Sequence, residues 1–177
     1  MRDRRLLVIN LIVALGMTAC PGSDNTSTCP GKPALEAKQS LWISPLTVDF
    51  GLNYGTGLGT TPTYVGASPQ GSATLCNYGL TNLTITGATL SADPAFKFVG
   101  MNDENQKPLT TLAPNKLGFI QLTFTPTNAK YYGGGTLTLH SDADQSNAGN
   151  AKESVIKVVG CAVFHDGGTA VDCSGKT

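Results

Sequence analysis

The residues of this chain best equipped for chemistry are five cysteines, Cys20, Cys29, Cys76, Cys161 and Cys173. A thiol of this kind can carry a lipid or close a disulfide. The two histidines, His140 and His165, have neither the i, i+4 partner nor the cysteine spacing of a zinc site and read as solvated surface residues. Asp142, Asp144 and Asn147 share one polar loop whose spacing does not match an EF-hand, so a solvated inter-strand loop outweighs a weak calcium site. The Gly55-Thr-Gly-Leu-Gly59 stretch lacks Gly-Lys-Ser/Thr and a following helix, which makes it a strand connector rather than a phosphate cradle. No nucleophile elbow is present either. The chain is therefore expected to be non-enzymatic, with no catalytic, metal-binding or cofactor residues.

The first cysteine stands in a different context from the rest. Arg2, Arg4 and Arg5 precede an apolar run from Leu6 to Leu15, and Met17-Thr18-Ala19-Cys20 follows. A basic start, a short apolar core and a small residue before the cut are the parts of a secretory signal. Asn10 and Gly16 interrupt the run, which falls short of the ~20 apolar residues needed to span a bilayer. The sequence around Cys20 resembles the lipobox of bacterial lipoproteins, with Met17 in the hydrophobic place. Residues 1–19 are thus expected to be a cleaved signal peptide, and Cys20 is expected to be lipidated and to hold the protein on a membrane. Pro21, where an Asp signals inner-membrane retention, implies the outer membrane of a bacterial envelope. Setting Cys20 aside leaves Cys29, Cys76, Cys161 and Cys173, an even set able to pair in an oxidising compartment.

The elements that hold these residues show in composition and periodicity. The part after the cut has nine Lys, no Arg and eleven Asp plus Glu, so it has no basic footprint and nucleic acid is excluded as a partner. Pro21 to about Gln39 is rich in Ser, Thr, Pro, Gly, Asn and Asp and reads as a tether, so that residues 20–40 form the anchor and its leash. From Leu41 the apolar period is two. Leu46, Val48 and Phe50 alternate with Thr47 and Asp49; Ile120, Leu122 and Phe124 alternate with Gln121, Thr123 and Thr125. The same pattern runs through Ala73–Cys76, Leu83–Thr86 and Thr136–His140, while Val155 to Val159 is more continuously apolar. Clusters of Gly, Pro and Asn separate these runs. About seven short strands with one buried face predict an all-β fold, an antiparallel immunoglobulin-like β-sandwich over residues 41–162, followed by a tail over 163–177. Trp42, beside Leu41 and Ile43, is expected in the core. Tyr54, Tyr64, Tyr131 and Tyr132 are the other aromatics that could form a binding face, and Tyr131-Tyr132 ahead of Gly133-Gly-Gly135 is the best candidate for an exposed contact.

The order of the strands is similar to a known family. Leu46-Thr-Val-Asp-Phe-Gly51, Ala73-Thr-Leu-Cys-Asn-Tyr-Gly79 and Leu83-Thr-Ile-Thr-Gly-Ala-Thr-Leu90 come first. Leu112-Ala-Pro-Asn115, Leu122-Thr-Phe-Thr-Pro-Thr127, Gly135-Thr-Leu-Thr-Leu139 and Val158-Val-Gly160 follow. Together they resemble the ASPM–SPD-2–Hydin immunoglobulin-like domain, labelled choice-of-anchor D in bacteria and close to the major sperm protein fold. The longer loop from Asn53 to Gly71, the cysteines at 76 and 161, and the tail depart from that pattern. The resemblance implies a scaffold or interaction module with no catalytic residue, and hence an envelope protein as partner. The alternative is a carbohydrate-binding module with Tyr131 and Tyr132 as its platform. In a sandwich of this kind Cys76 and Cys161 end strands at opposite poles, about 17–20 Å apart, beyond the ~7 Å that a disulfide tolerates. Cys29 comes near the pole of Cys76, and Asp166-Gly-Gly168 offers a turn between Cys161 and Cys173. The preferred pairing is Cys29–Cys76 with Cys161–Cys173.

Overall fold

The computed structural model describes residues 29–30, 38–51, 63–165, 171 and 173. The signal sequence, Cys20, most of the tether, Tyr54 and the Gly55–Gly59 connector lie outside the described residues. Within them the chain forms strands and turns and no helix. The first half holds β1 (Ser40–Ser44), β2 (Thr47–Phe50), β3 (Thr63–Tyr64), β4 (Gln70–Asn77), β5 (Leu83–Ser91) and β6 (Phe96–Asp103). The second holds β7 (Thr111–Leu112), β8 (Leu117–Phe124), β9 (Tyr131–Ser141), β10 (Gln145–Ser146), β11 (Gly149–Asn150) and β12 (Glu153–Val163).

Two sheets result. One has the order β10-β1-β4-β8-β6, the other β11-β12-β9-β5-β7, with β2 and β3 joined to β12. Alternation drives the layering. In β8 every second residue is buried, ending on Ile120, Leu122 and Phe124. These face Leu137 and Leu139 of β9 and Ile156 and Val158 of β12 in one apolar core. Burying each such side chain contributes about 1.5–3 kcal/mol. The fold is an all-β immunoglobulin-like sandwich.

Details differ from the sequence reading. The sheets are mixed rather than purely antiparallel. The chain leaves the first sheet after β1, which pairs antiparallel with β4, and β2 then pairs in parallel with β12. One stretch of chain thereby edges both layers. Strand β6 was not expected, and it pairs with β8 along its whole length. Leu46, read as inward, precedes β2 and is 43% exposed, because the buried alternation starts only at Val48 and Phe50. In β12 the alternation persists through exposed Val155 and buried Ile156. Both faces become buried only at Val159 to Ala162, where Cys173 and Val171 cover the outer side.

Candidate functional site

The strands run between two poles, and each pole carries one disulfide. β1 starts where β4 ends, with Leu41 opposite Asn77. β2 and β12 both end at the other pole, with Gly160 opposite Phe50.

At the first pole Cys29 is bonded to Cys76, their Cα atoms 5.6 Å apart. The pair packs outside the main core with Tyr78, Trp42 and Leu117. Trp42 is therefore half-buried over the disulfide, its ring edge-on to Tyr78 at 6.1 Å, and does not enter the main core. The Tyr78 hydroxyl donates to the carbonyl of Pro30. Buried Asn77 donates through Nδ2 to the carbonyls of Thr81 and Leu112, each at 2.8 Å, and its Oδ1 accepts from the Gly79 amide at 2.8 Å. Gly79 is required by close approach: a Cβ there would sit 2.3 Å from the carbonyl oxygen of Lys38.

The polar loop read as solvated is stapled to this pole. Asp142 accepts from the Thr84 amide at 2.7 Å and from Gln39 Nε2 at 3.1 Å. Asn147 bonds both the amide and the carbonyl of Ile43, at 2.8 and 2.9 Å. Asn147 stands in for ladder bonds beside β1, Asp142 ties the loop to β5, and their oxygens already have partners. Among the described residues no group of three or more His, Cys, Asp and Glu side chains is placed to hold a metal ion. His140 lies half-exposed on β9, 3.3 Å from the Thr89 hydroxyl and 3.8 Å from Glu153.

The second pole is aromatic. Its inner part is a knot of Phe50, Phe96, Phe124 and Tyr132. The Phe96 and Phe124 rings stack at 4.7 Å, and Tyr132 meets Phe124 edge-on at 5.1 Å. Gly71 and Gly160 make the room, since a Cβ at either would lie under 3 Å from the Phe50 or Phe124 ring. This corrects the expectation for Tyr132: it is only 3% exposed and cannot serve as an open contact. Its hydroxyl donates to the Asn128 carbonyl at 2.9 Å and accepts from the Asn128 amide at 3.3 Å, which closes the turn before β9. Lys130 lies 4.5 Å over the Tyr132 ring and 3.1 Å from Asp93. The Ala95 amide, and after it Lys130, hold the Asp93 carboxyl below the ordinary carboxylate range.

The outer part of this pole is what remains available. Cys161 is bonded to Cys173, their Cα atoms 6.0 Å apart. Tyr131 is half-buried against this disulfide, and its ring occupies the space where Gly133 has no Cβ. Beyond it Tyr64 is 43% exposed and Phe164 is 51% exposed. The Tyr64 and His165 rings lie 4.8 Å apart, tilted by 46°. Tyr64 is one of the aromatics the sequence offers for a binding face, whereas Phe164 is not; both lie at strand ends, of β3 and β12, whose pairing joins residues far apart in the chain.

No protein-family profile matches the chain, and no curated protein matches its sequence. Solved structures do show similarity in strand arrangement. A protein of unknown function from Porphyromonas gingivalis W83 is 16% identical, with a TM-score of 0.45, over 74% of this chain and 51% of that one. The ASH / PapD-like domain 7 of human CEP192 is 14% identical, with a TM-score of 0.42, over 77% of this chain and 93% of that one. WR4, a major sperm protein family member of Caenorhabditis elegans, is 9% identical, with a TM-score of 0.40, over 68% and 95%. The chain spans about half the length of the Porphyromonas protein and 32% of the Vibrio cholerae VesB protease.

Proposed function

We propose that this protein is a non-enzymatic, lipid-anchored module of a bacterial envelope, held on the outer membrane through Cys20, that docks a partner protein with the aromatic rim of its second pole. The observation that carries the docking reading is the exposure of Tyr64 and Phe164 on strand ends fixed by pairing and by the Cys161–Cys173 bond. Large rigid aromatics lose little conformational entropy on contact and are enriched at protein interfaces. The anchor rests on Met17-Thr-Ala-Cys20 behind its basic and apolar leader.

Photo-crosslinking in cells tests the rim. A benzophenone amino acid in place of Tyr64 or Phe164 is expected to trap a defined envelope protein, and the same group at Asn105, on the first pole, is expected not to. Trapping from Asn105 alone sinks the reading. Tyr64→Ala with Phe164→Ala is expected to shift stability by less than about 0.5 kcal/mol, as for surface positions generally, while abolishing the contact. Cys20→Ser is expected to remove incorporation of a palmitate analogue. The carbohydrate reading loses one of its two platform residues with the burial of Tyr132. What is left to it is half-buried Tyr131 with exposed Tyr64 beyond it, and co-sedimentation with peptidoglycan that disappears in Tyr64→Ala would favour it over a protein partner.

A further inference from the structure

We infer that the Cys29–Cys76 disulfide, and not the start of β1, is the point where the anchor takes hold of the sandwich, so that the first pole faces the bilayer and the aromatic rim faces away. The inference rests on the lipidation of Cys20 proposed above. Cys29 is 6% exposed, covalently fixed to the end of β4 and backed by the Tyr78–Pro30 hydrogen bond. The chain returns to the same pole at Lys38 to Ser40. There the Ser40 carbonyl accepts from the Tyr78 amide at 2.8 Å, and Lys38 lies against Gly79. Both ends of the stretch between Pro30 and Lys38 are thus secured to one pole, and that stretch carries no part of the link to the membrane.

The reach follows from the counting of residues. Nine residue steps separate Cys20 from Cys29, whereas twenty separate Cys20 from Ser40. Fully extended these span about 30 Å and about 68 Å. As flexible chains their root-mean-square lengths are about 17 Å and about 25 Å. The crosslink therefore shortens the leash and holds the first pole closer to the lipid than the start of β1 alone would. The aromatic rim is then separated from the membrane by the length of the sandwich, where a partner can reach it.

Insertions on either side of Cys29 test this with both disulfides intact. Full-length lipidated protein is placed in vesicles of phosphatidylethanolamine and phosphatidylglycerol that carry an acceptor-labelled lipid. A donor fluorophore on an unnatural amino acid sits at Asn105, on the first pole, or at Thr127, on the second. Energy transfer is expected to be stronger from Asn105 than from Thr127. Ten Gly/Ser residues inserted between Asp24 and Asn25 are expected to weaken transfer from Asn105, as the root-mean-square reach rises from about 17 Å to about 24 Å. The same ten residues between Pro33 and Ala34 are expected to leave it unchanged. Equal effects of the two insertions, or equal transfer from the two labels, overturn the inference while the protein still floats with the vesicles. Protein that does not float overturns the lipidation of Cys20 and this inference with it.

Discussion

The two poles use the same crosslink for different ends. At the first, the Cys29–Cys76 bond joins positions 47 apart and sits among side chains whose polar atoms are already engaged: Asn77, Asp142, Asn147 and the Tyr78 hydroxyl. At the second, Cys161–Cys173 joins positions only 12 apart, and the rings around it grade from sealed Tyr132 through half-covered Tyr131 to open Tyr64 and Phe164. One end is closed by hydrogen bonds that serve the fold. The other is closed on its inside by rings and leaves further rings at the surface. A fold can thus concentrate its structural demands at one end and keep the opposite end free for contact.

The largest expected effect separates the crosslinks themselves. In the loop-entropy account, removing the bond that closes the longer loop costs about 4 kcal/mol and removing the shorter one about 3 kcal/mol. Urea unfolding of Cys29→Ser/Cys76→Ser and of Cys161→Ser/Cys173→Ser reads both, and a reversed order would break the contrast between the poles. Next comes Asn77→Ala, which strands the buried Leu112 carbonyl and Gly79 amide and is expected to cost about 2–3 kcal/mol. A loss under half of that would mean that the first pole is not held by its polar network. Tyr132→Phe keeps the ring and removes only the two Asn128 hydrogen bonds, so about 1 kcal/mol is expected, with the aromatic packing unchanged by near-ultraviolet circular dichroism.

The smallest effect depends on pH. The Asp93 carboxyl is held below its usual range in the folded state, so its contribution exists above the unfolded value near 3.8 and fades as pH falls through the lower folded value. Asp93→Asn is expected to lower stability by about 0.2–1 kcal/mol at neutral pH, in the range of exposed pairs, and to match the parent in strong acid. Urea midpoints at pH 7 and pH 2 check this; a gap that widens in acid would contradict the sign.

The layered fold was legible because β8, β9 from Gly135 onward and part of β4 keep a period of two, and their turns carry Gly, Pro and Asn. Strand β6 was missed because Phe96-Lys-Phe-Val-Gly-Met does not alternate: a register shift between Phe98 and Gly100 changes its phase halfway. Tyr132 misled because Tyr-Tyr-Gly-Gly-Gly reads as a loop, and its ring packs edge-on against Phe96 and Phe124, which lie on other strands. The Asp142 and Asn147 staples were invisible for a related reason. Asn147 bonds a backbone 104 residues away, and no local pattern announces such a partner. Likewise the exposed rim at Tyr64 and Phe164 exists only once β3 is laid beside β12.

The shift in β6 has a consequence for neighbours. β6 is the outermost strand of its sheet, with Val99 57% exposed, and a flat strand there would be a template for another copy. The irregularity at Phe98 and Gly100 breaks the even row of edge amides and carbonyls and bends the strand. A second copy approaching that edge would meet a broken row at Phe98–Gly100 and, past it, backbone groups already bonded to Lys107 and Leu109, which works against pairing into ribbons.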